Sequence, residues 1–112
     1  MKLKTIYIDD EKDLCDNFED TFATDKISIL TFTEPKSAIQ AIQANPPDLI
    51  FLDYRLPGLN GDQVAQALDP TIPKYLITGD IMIETRYPFG KRISKPYKNS
   101  EILEIFELHC SE

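Results

Sequence analysis

Apolar residues along this chain follow two rhythms that take turns. Short runs dominated by apolar and β-branched residues, at Thr5-Ile6-Tyr7-Ile8, Ile27 to Phe32, Asp48 to Leu52, Lys74 to Thr78 and Arg92-Ile93-Ser94, predict strands. Between them the apolar positions recur at helical spacing: Leu14, Cys15, Phe18 and Phe22, then Ala38, Ile39 and Ile42, then Val64, Ala65 and Leu68. After the last strand, a helix carries Ile102, Leu103, Ile105, Phe106 and Cys110. Leu49-Ile50-Phe51-Leu52 is too continuously apolar for a half-exposed strand and suits one buried on both faces of a parallel sheet. Glu34-Pro35 opens the second helix with proline at a tolerated first-turn position, and Asn45-Pro46-Pro47 stops it. The third helix runs from about Asp62 to Leu68 and ends before Pro70.

Strand and helix alternate from end to end, which predicts an α/β fold with a doubly wound, five-stranded parallel sheet. No linker, repeat or low-complexity tract interrupts the pattern, so residues 1–112 read as a single domain. The irregular part is Gly79 to Gly90. A fourth helix belongs there, since parallel neighbours need a crossover connection. Only Ile81 to Tyr87 is free of glycine and proline, so that helix should be short or missing, and the segment should be the least stable part of the fold.

Charge narrows the partners. A net charge of −7 argues against nucleic acid, because phosphate binding needs a basic face. No apolar run is long enough for a membrane span, and Met1-Lys2-Leu3-Lys4 lacks the apolar core of a signal peptide, so a cytoplasmic location is expected. Cys15 and Cys110 lie far apart in sequence and read as reduced thiols. His109, the sole histidine, falls in the last helical turn and reads as a surface or capping residue.

The chemistry gathers at the carboxyl ends of the predicted strands, the edge where open α/β sheets place ligands. Asp9 and Asp10 end the first strand, Asp53 the third and Thr78 the fourth, while Lys95 follows the fifth. Pro57, Gly58 and Gly61 enforce a turn after Asp53. Carboxylates converging without cations would repel one another, and a hard divalent cation such as Mg²⁺ relieves this with one or two carboxylates plus waters and phosphate oxygens. With a lysine and a hydroxyl added, the set suits phosphoryl chemistry on Asp53, since carboxylate nucleophiles form aspartyl phosphates.

Asp9-Asp10, Asp53-x-x-Leu-Pro-x-x-x-Gly61, Thr78-Gly79 and Lys95-Pro96-Tyr97 together resemble the receiver domain of two-component response regulators, over essentially the whole chain. The resemblance implies a flavodoxin-like (βα)5 fold, the CheY-like type, with strand order 2-1-3-4-5. It implies Asp53 as phosphoacceptor from a histidine kinase or phosphotransfer protein, with an unknown downstream protein target. It implies Mg²⁺, with Mn²⁺ as a substitute, held by Asp10, Asp53 and the backbone carbonyl of Arg55, with Asp9 acting through water. Thr78 and Lys95 would each bond a phosphoryl oxygen, and Lys95-Pro96 becomes a candidate cis bond.

The chain also departs from that family. Three positions before the lysine, where receivers usually carry an aromatic residue, stands Arg92, expected to stay outside and pair with Glu84 or Asp80. Asp80 adds an acid at the pocket rim that can cap the next turn of chain, and Arg55 should be exposed. Tyr97 is expected to pack on the last helix. Two rival readings are weighed. A phosphorylation-independent pseudo-receiver is opposed by the complete acid, threonine and lysine set. A dehalogenase-like phosphatase needs a second acid two positions after its nucleophile, where this chain has Arg55, and a cap insertion for which there is no room. With the sequence ending at Ser111-Glu112, a stand-alone receiver or one excised from a larger protein is expected.

Overall fold

A computed structural model describes residues 2–80 and 82–110. Ile81, which opens the stretch considered for a fourth helix, lies outside the described residues, as do Met1 and the terminal Ser111-Glu112.

The elements run β1 (Leu3–Ile8), α1 (Lys12–Phe22), β2 (Ile27–Phe32), α2 (Pro35–Ala44), β3 (Leu49–Leu52), α3 (Gly61–Gln66), β4 (Lys74–Thr78), β5 (Lys91–Ser94) and α4 (Asn99–Cys110). The strands form one parallel sheet in the order β2-β1-β3-β4-β5. The doubly wound parallel sheet expected from the pattern, with the flavodoxin-like strand order that the resemblance implies, is the one observed. Among the described residues no helix lies between β4 and β5, so the crossover is made by irregular chain. Lys95-Pro96 is a cis peptide.

Two apolar layers flank the sheet. On one side α1 and α4 bury Cys15, Phe18, Phe22, Ile102, Ile105 and Phe106 against Tyr7, Phe51 and Ile77. On the other, α2 and α3 bury Ala38, Ile42 and Val64 against Ile8, Ile50 and Leu76. β3 is buried along its whole length, as a strand central to a parallel sheet must be. Each fully buried large apolar side chain contributes roughly 1.5–3 kcal/mol. Phe18 is the hub of the first layer: its ring stacks on Tyr7 at 4.2 Å and meets Phe22, Phe51 and Phe106.

The structure adds detail at three places. Leu103 and Cys110 stay exposed on α4, because the stripe turned to the sheet is Ile102, Ile105 and Phe106. Tyr97, expected to pack on the last helix, meets the rings of Phe18 and Phe22 of α1 and packs against the apolar layer that α1 and α4 share. His109 is not a free surface residue: its Nε2 lies 2.6 Å from the Tyr75 hydroxyl, tying the end of α4 to β4.

Candidate functional site

Register builds the site. Ile8 and Leu52 are Cα partners across β1 and β3, so the next residues, Asp9 and Asp53, leave the sheet side by side, and the Asp53 N–H donates to the Ile8 carbonyl at 3.0 Å. Thr78 pairs with Ser94 across β4 and β5, and the Lys95 N–H donates to the Thr78 carbonyl at 3.0 Å. Between β1 and β3 the strand order reverses, the topological position at which doubly wound sheets bind ligands. Gly61 keeps the next turn close. A Cβ there would come within 2.9 Å of the Asp53 carbonyl oxygen and 3.0 Å of the Tyr54 Cα, both backbone atoms that cannot give way cheaply. Asn60 and Gln63 then start α3 with a reciprocal capping box.

Of the residues singled out in the sequence, Asp9, Asp10 and Asp53 each offer a carboxylate oxygen within 4.8 Å of the others. Asp9 is fully buried, Asp53 nearly so, and Asp10 exposed. Lys95 Nζ donates to Asp9 Oδ2 at 2.7 Å and to Asp53 Oδ2 at 2.9 Å. Burial works against the charge on Lys95, but hydrogen bonds and attraction from both carboxylates prevail and raise its pKa. The repulsion expected among the acids is therefore partly offset by the lysine. The other Asp53 oxygen, Oδ1, accepts from the Tyr54 N–H at 2.7 Å. Thr78 is buried, and its hydroxyl oxygen accepts from the Asp80 N–H at 3.2 Å, which leaves the hydroxyl proton free to donate into the pocket. These groups open on a cleft of about 310 Å³ lined by Asp10, Asp53, Arg55, Thr78, Asp80 and Lys95 among others.

Three side-chain contacts around the cleft were not anticipated from the sequence. The Tyr7 hydroxyl donates to Asp9 Oδ2 at 3.0 Å, and burial followed by the Asp9 charge pushes the phenol's pKa far up. Strand periodicity could have found this contact, since residues two apart share a face. Cys15 donates its thiol to the Asp9 carbonyl at 3.2 Å, and burial with the nearby Asp9 charge pushes its pKa up to about 11. Such a thiol is an inert packing group at neutral pH. The Arg55 guanidinium, exposed as expected, also pairs with the Asp80 carboxylate across the cleft mouth, its Nε 3.1 Å from Oδ2. The Arg55 hydrogen bond, followed by one from the Met82 N–H, holds Asp80 below the usual carboxylate range.

Three carboxylates of hard oxygen donors, one exposed and two at a strand edge, fit a small divalent cation. A nucleophilic carboxylate, a cation and a hydroxyl donor gathered around one cleft are the parts phosphoryl transfer requires.

The response regulator receiver domain family model matches residues 5–107. The chain belongs to that family. The DNA-binding response regulator MtrA of Mycobacterium tuberculosis (strain ATCC 25618 / H37Rv) is 24% identical over 110 residues, covering 92% of this chain and 48% of the relative. The chain thus spans about half the length of the MtrA relatives it matches. NtrX from Brucella abortus, solved in complex with ADP, superposes with a TM-score of 0.85 at 28% identity, covering 97% of this chain and 27% of that one. The Francisella response regulator 1452 receiver domain has a TM-score of 0.84 at 18% identity, with 96% of both chains covered, a likeness of fold. A receiver is a signalling module of two-component systems, and no described helix here is long and apolar enough to cross a membrane.

Proposed function

We propose that this receiver accepts a phosphoryl group on Asp53 from a histidine kinase or phosphotransfer protein and signals through altered protein contacts. The observation that carries the reading is the Lys95 ammonium, bonded at once to Asp9 and Asp53 beside the Thr78 hydroxyl. One Asp53 carboxylate oxygen attacks phosphorus, an O–P bond forms, and the P–N bond of the phosphohistidine breaks. The electron pair of that bond leaves with the imidazole, which is neutral once it carries its proton. Lys95 balances charge on the phosphoryl oxygens, and Thr78 donates to one of them. Asp10, Asp53 and the Arg55 carbonyl would hold Mg²⁺ or Mn²⁺, with Asp9 reaching it through water. When bound, the ion supplies further neutralisation of the transferring group. Asp9 is already engaged by Tyr7, Lys95 and the Glu11 N–H, which suits an indirect role. Residues 1–112 act as one unit, in the cytoplasm, and the acidic surface favours a protein target over nucleic acid.

Incubating the full chain with acetyl phosphate and Mg²⁺ should add one phosphoryl mass. Asp53→Asn should abolish the addition. Labelling of that variant at the wild-type level would refute the assignment, and no labelling of either protein would favour a pseudo-receiver.

A further inference from the structure

Asp80 is gripped from two sides by arginines of different strand ends. Its carboxylate pairs with Arg55, which follows β3, while its backbone carbonyl accepts from Arg92 Nη2 of β5 at 2.9 Å. Arg92 Nη1 also donates to the Ile83 carbonyl. Asp80 Oδ1 caps the Met82 N–H at 3.0 Å, and the Asp80 N–H bonds Thr78. Asp80 therefore touches the cleft, the crossover chain and, through Arg92, the edge strand. Arg92 bonds Asp80 through the backbone carbonyl rather than the carboxylate, which feels its charge only at longer range, and it forms no ion pair with Glu84. It holds backbone carbonyls instead, as a guanidinium near the surface can without burying unpaired charge.

We propose that Arg55, Asp80 and Arg92 form a relay that carries phosphorylation of Asp53 to β5. The inference rests on the phosphoacceptor reading and names how that same site is read out. Arg55 and Asp53 line one cleft. An exposed arginine–carboxylate pair is weak, whereas a phosphoryl group offers the guanidinium more charge and a bidentate match. Arg55 exchanges Asp80 for the phosphoryl oxygens. The Asp80 carboxylate, stripped of its partner and facing new negative charge, moves away, and its carbonyl draws Arg92 and β5 with it. No aromatic side chain on β5 is needed.

The test is ¹⁵N NMR of the full chain, following backbone amides and arginine Nε–Hε signals, with Mg²⁺ alone and with Mg²⁺ plus beryllofluoride as the phosphoryl stand-in. Beryllofluoride should shift the Arg55 and Arg92 side-chain signals together with the amides of Lys91–Ser94. In Arg92→Lys, which keeps charge but loses the two-carbonyl grip, Arg55 should still shift while the β5 amides lose most of their response. In Asp80→Asn, the Arg55 signal should already lie toward its beryllofluoride position. An unmoved Arg55 signal, in a protein whose Asp53 and Thr78 amides do respond, would overturn the relay alone, as would an undiminished β5 response in Arg92→Lys. No response anywhere would overturn the phosphoacceptor reading and the relay with it.

Discussion

Lys95 is the cation that bridges the site's two buried carboxylates. Its partner Asp9 has a side chain only 1% exposed, with the Tyr7 hydroxyl and the Glu11 N–H as its other donors. Removing the lysine leaves a buried carboxylate without a counter-charge, which costs about 3 kcal/mol by analogy with broken buried pairs. Lys95→Ala should therefore lower the urea midpoint strongly. Asp9→Asn combined with Lys95→Ala should recover part of the loss, since the more deeply buried of the two carboxylates left unpaired is then neutral and only Asp53 keeps its charge. A double variant as unstable as the sum of the singles would show that the pair does not interact in this way.

At the level of elements, the crossover between β4 and β5 does by polar ties what a packed helix would do by an apolar stripe. Asp62, buried in the first turn of α3, accepts from the Arg86 N–H at 2.8 Å and the Tyr87 N–H at 3.4 Å. Lys74, buried at the start of β4, donates to the Tyr87 hydroxyl at 2.9 Å and to the carbonyls of Asp69 and Ile72, with its Nζ 5.1 Å from the Tyr87 ring centre. The Gly90 N–H closes on the Lys74 carbonyl at 2.9 Å. The segment expected to be loosest is thus fastened at its far half by buried groups, and at its near half by half-buried Asp80 with the exposed Arg55 and Arg92. Asp62→Ala strands two backbone donors and should cost about 1–3 kcal/mol. Hydrogen exchange at Arg86 and Tyr87 should speed up well beyond the change in global stability. Exchange there that tracks only global unfolding would mean the ties to Asp62 do not hold the segment.

Across the molecule, the contact of His109 with Tyr75 links the C-terminal helix to the sheet. Burial lowers the His109 pKa below its ordinary 6.5, against a weaker opposing pull from Asp48. The neutral imidazole shares a hydrogen bond between Nε2 and the Tyr75 hydroxyl, its direction set by the tautomer. Between the lowered folded value and 6.5 the unfolded chain binds the proton and the folded one does not. Stability from this group is then complete above 6.5 and drains away as pH falls through the folded value. Urea unfolding at stepped pH should show that slope in the wild type and a shallower one in His109→Gln. Identical slopes would place the pH dependence elsewhere.

The strand-ending acids, the lysine after the fifth strand and the lack of a helix between β4 and β5 among the described residues were legible without coordinates, because strand and helix periodicity is local and a strand's last residue must emerge at the sheet edge. Family resemblance supplied the strand order and the cis Lys95-Pro96 bond. What stayed hidden depends on which side chains meet across elements far apart in sequence. The seat of Tyr97 on α1, the link from His109 to Tyr75, the hold of Asp62 and Lys74 on the crossover, and the two arginines on Asp80 arise when strand register and helix packing bring separate segments within about 3 Å, the length of a hydrogen bond. The residue pattern determined where the chemistry would surface. The tertiary structure alone decided what restrains it, since a donor's choice among acceptors is settled by distance and burial after the chain has closed.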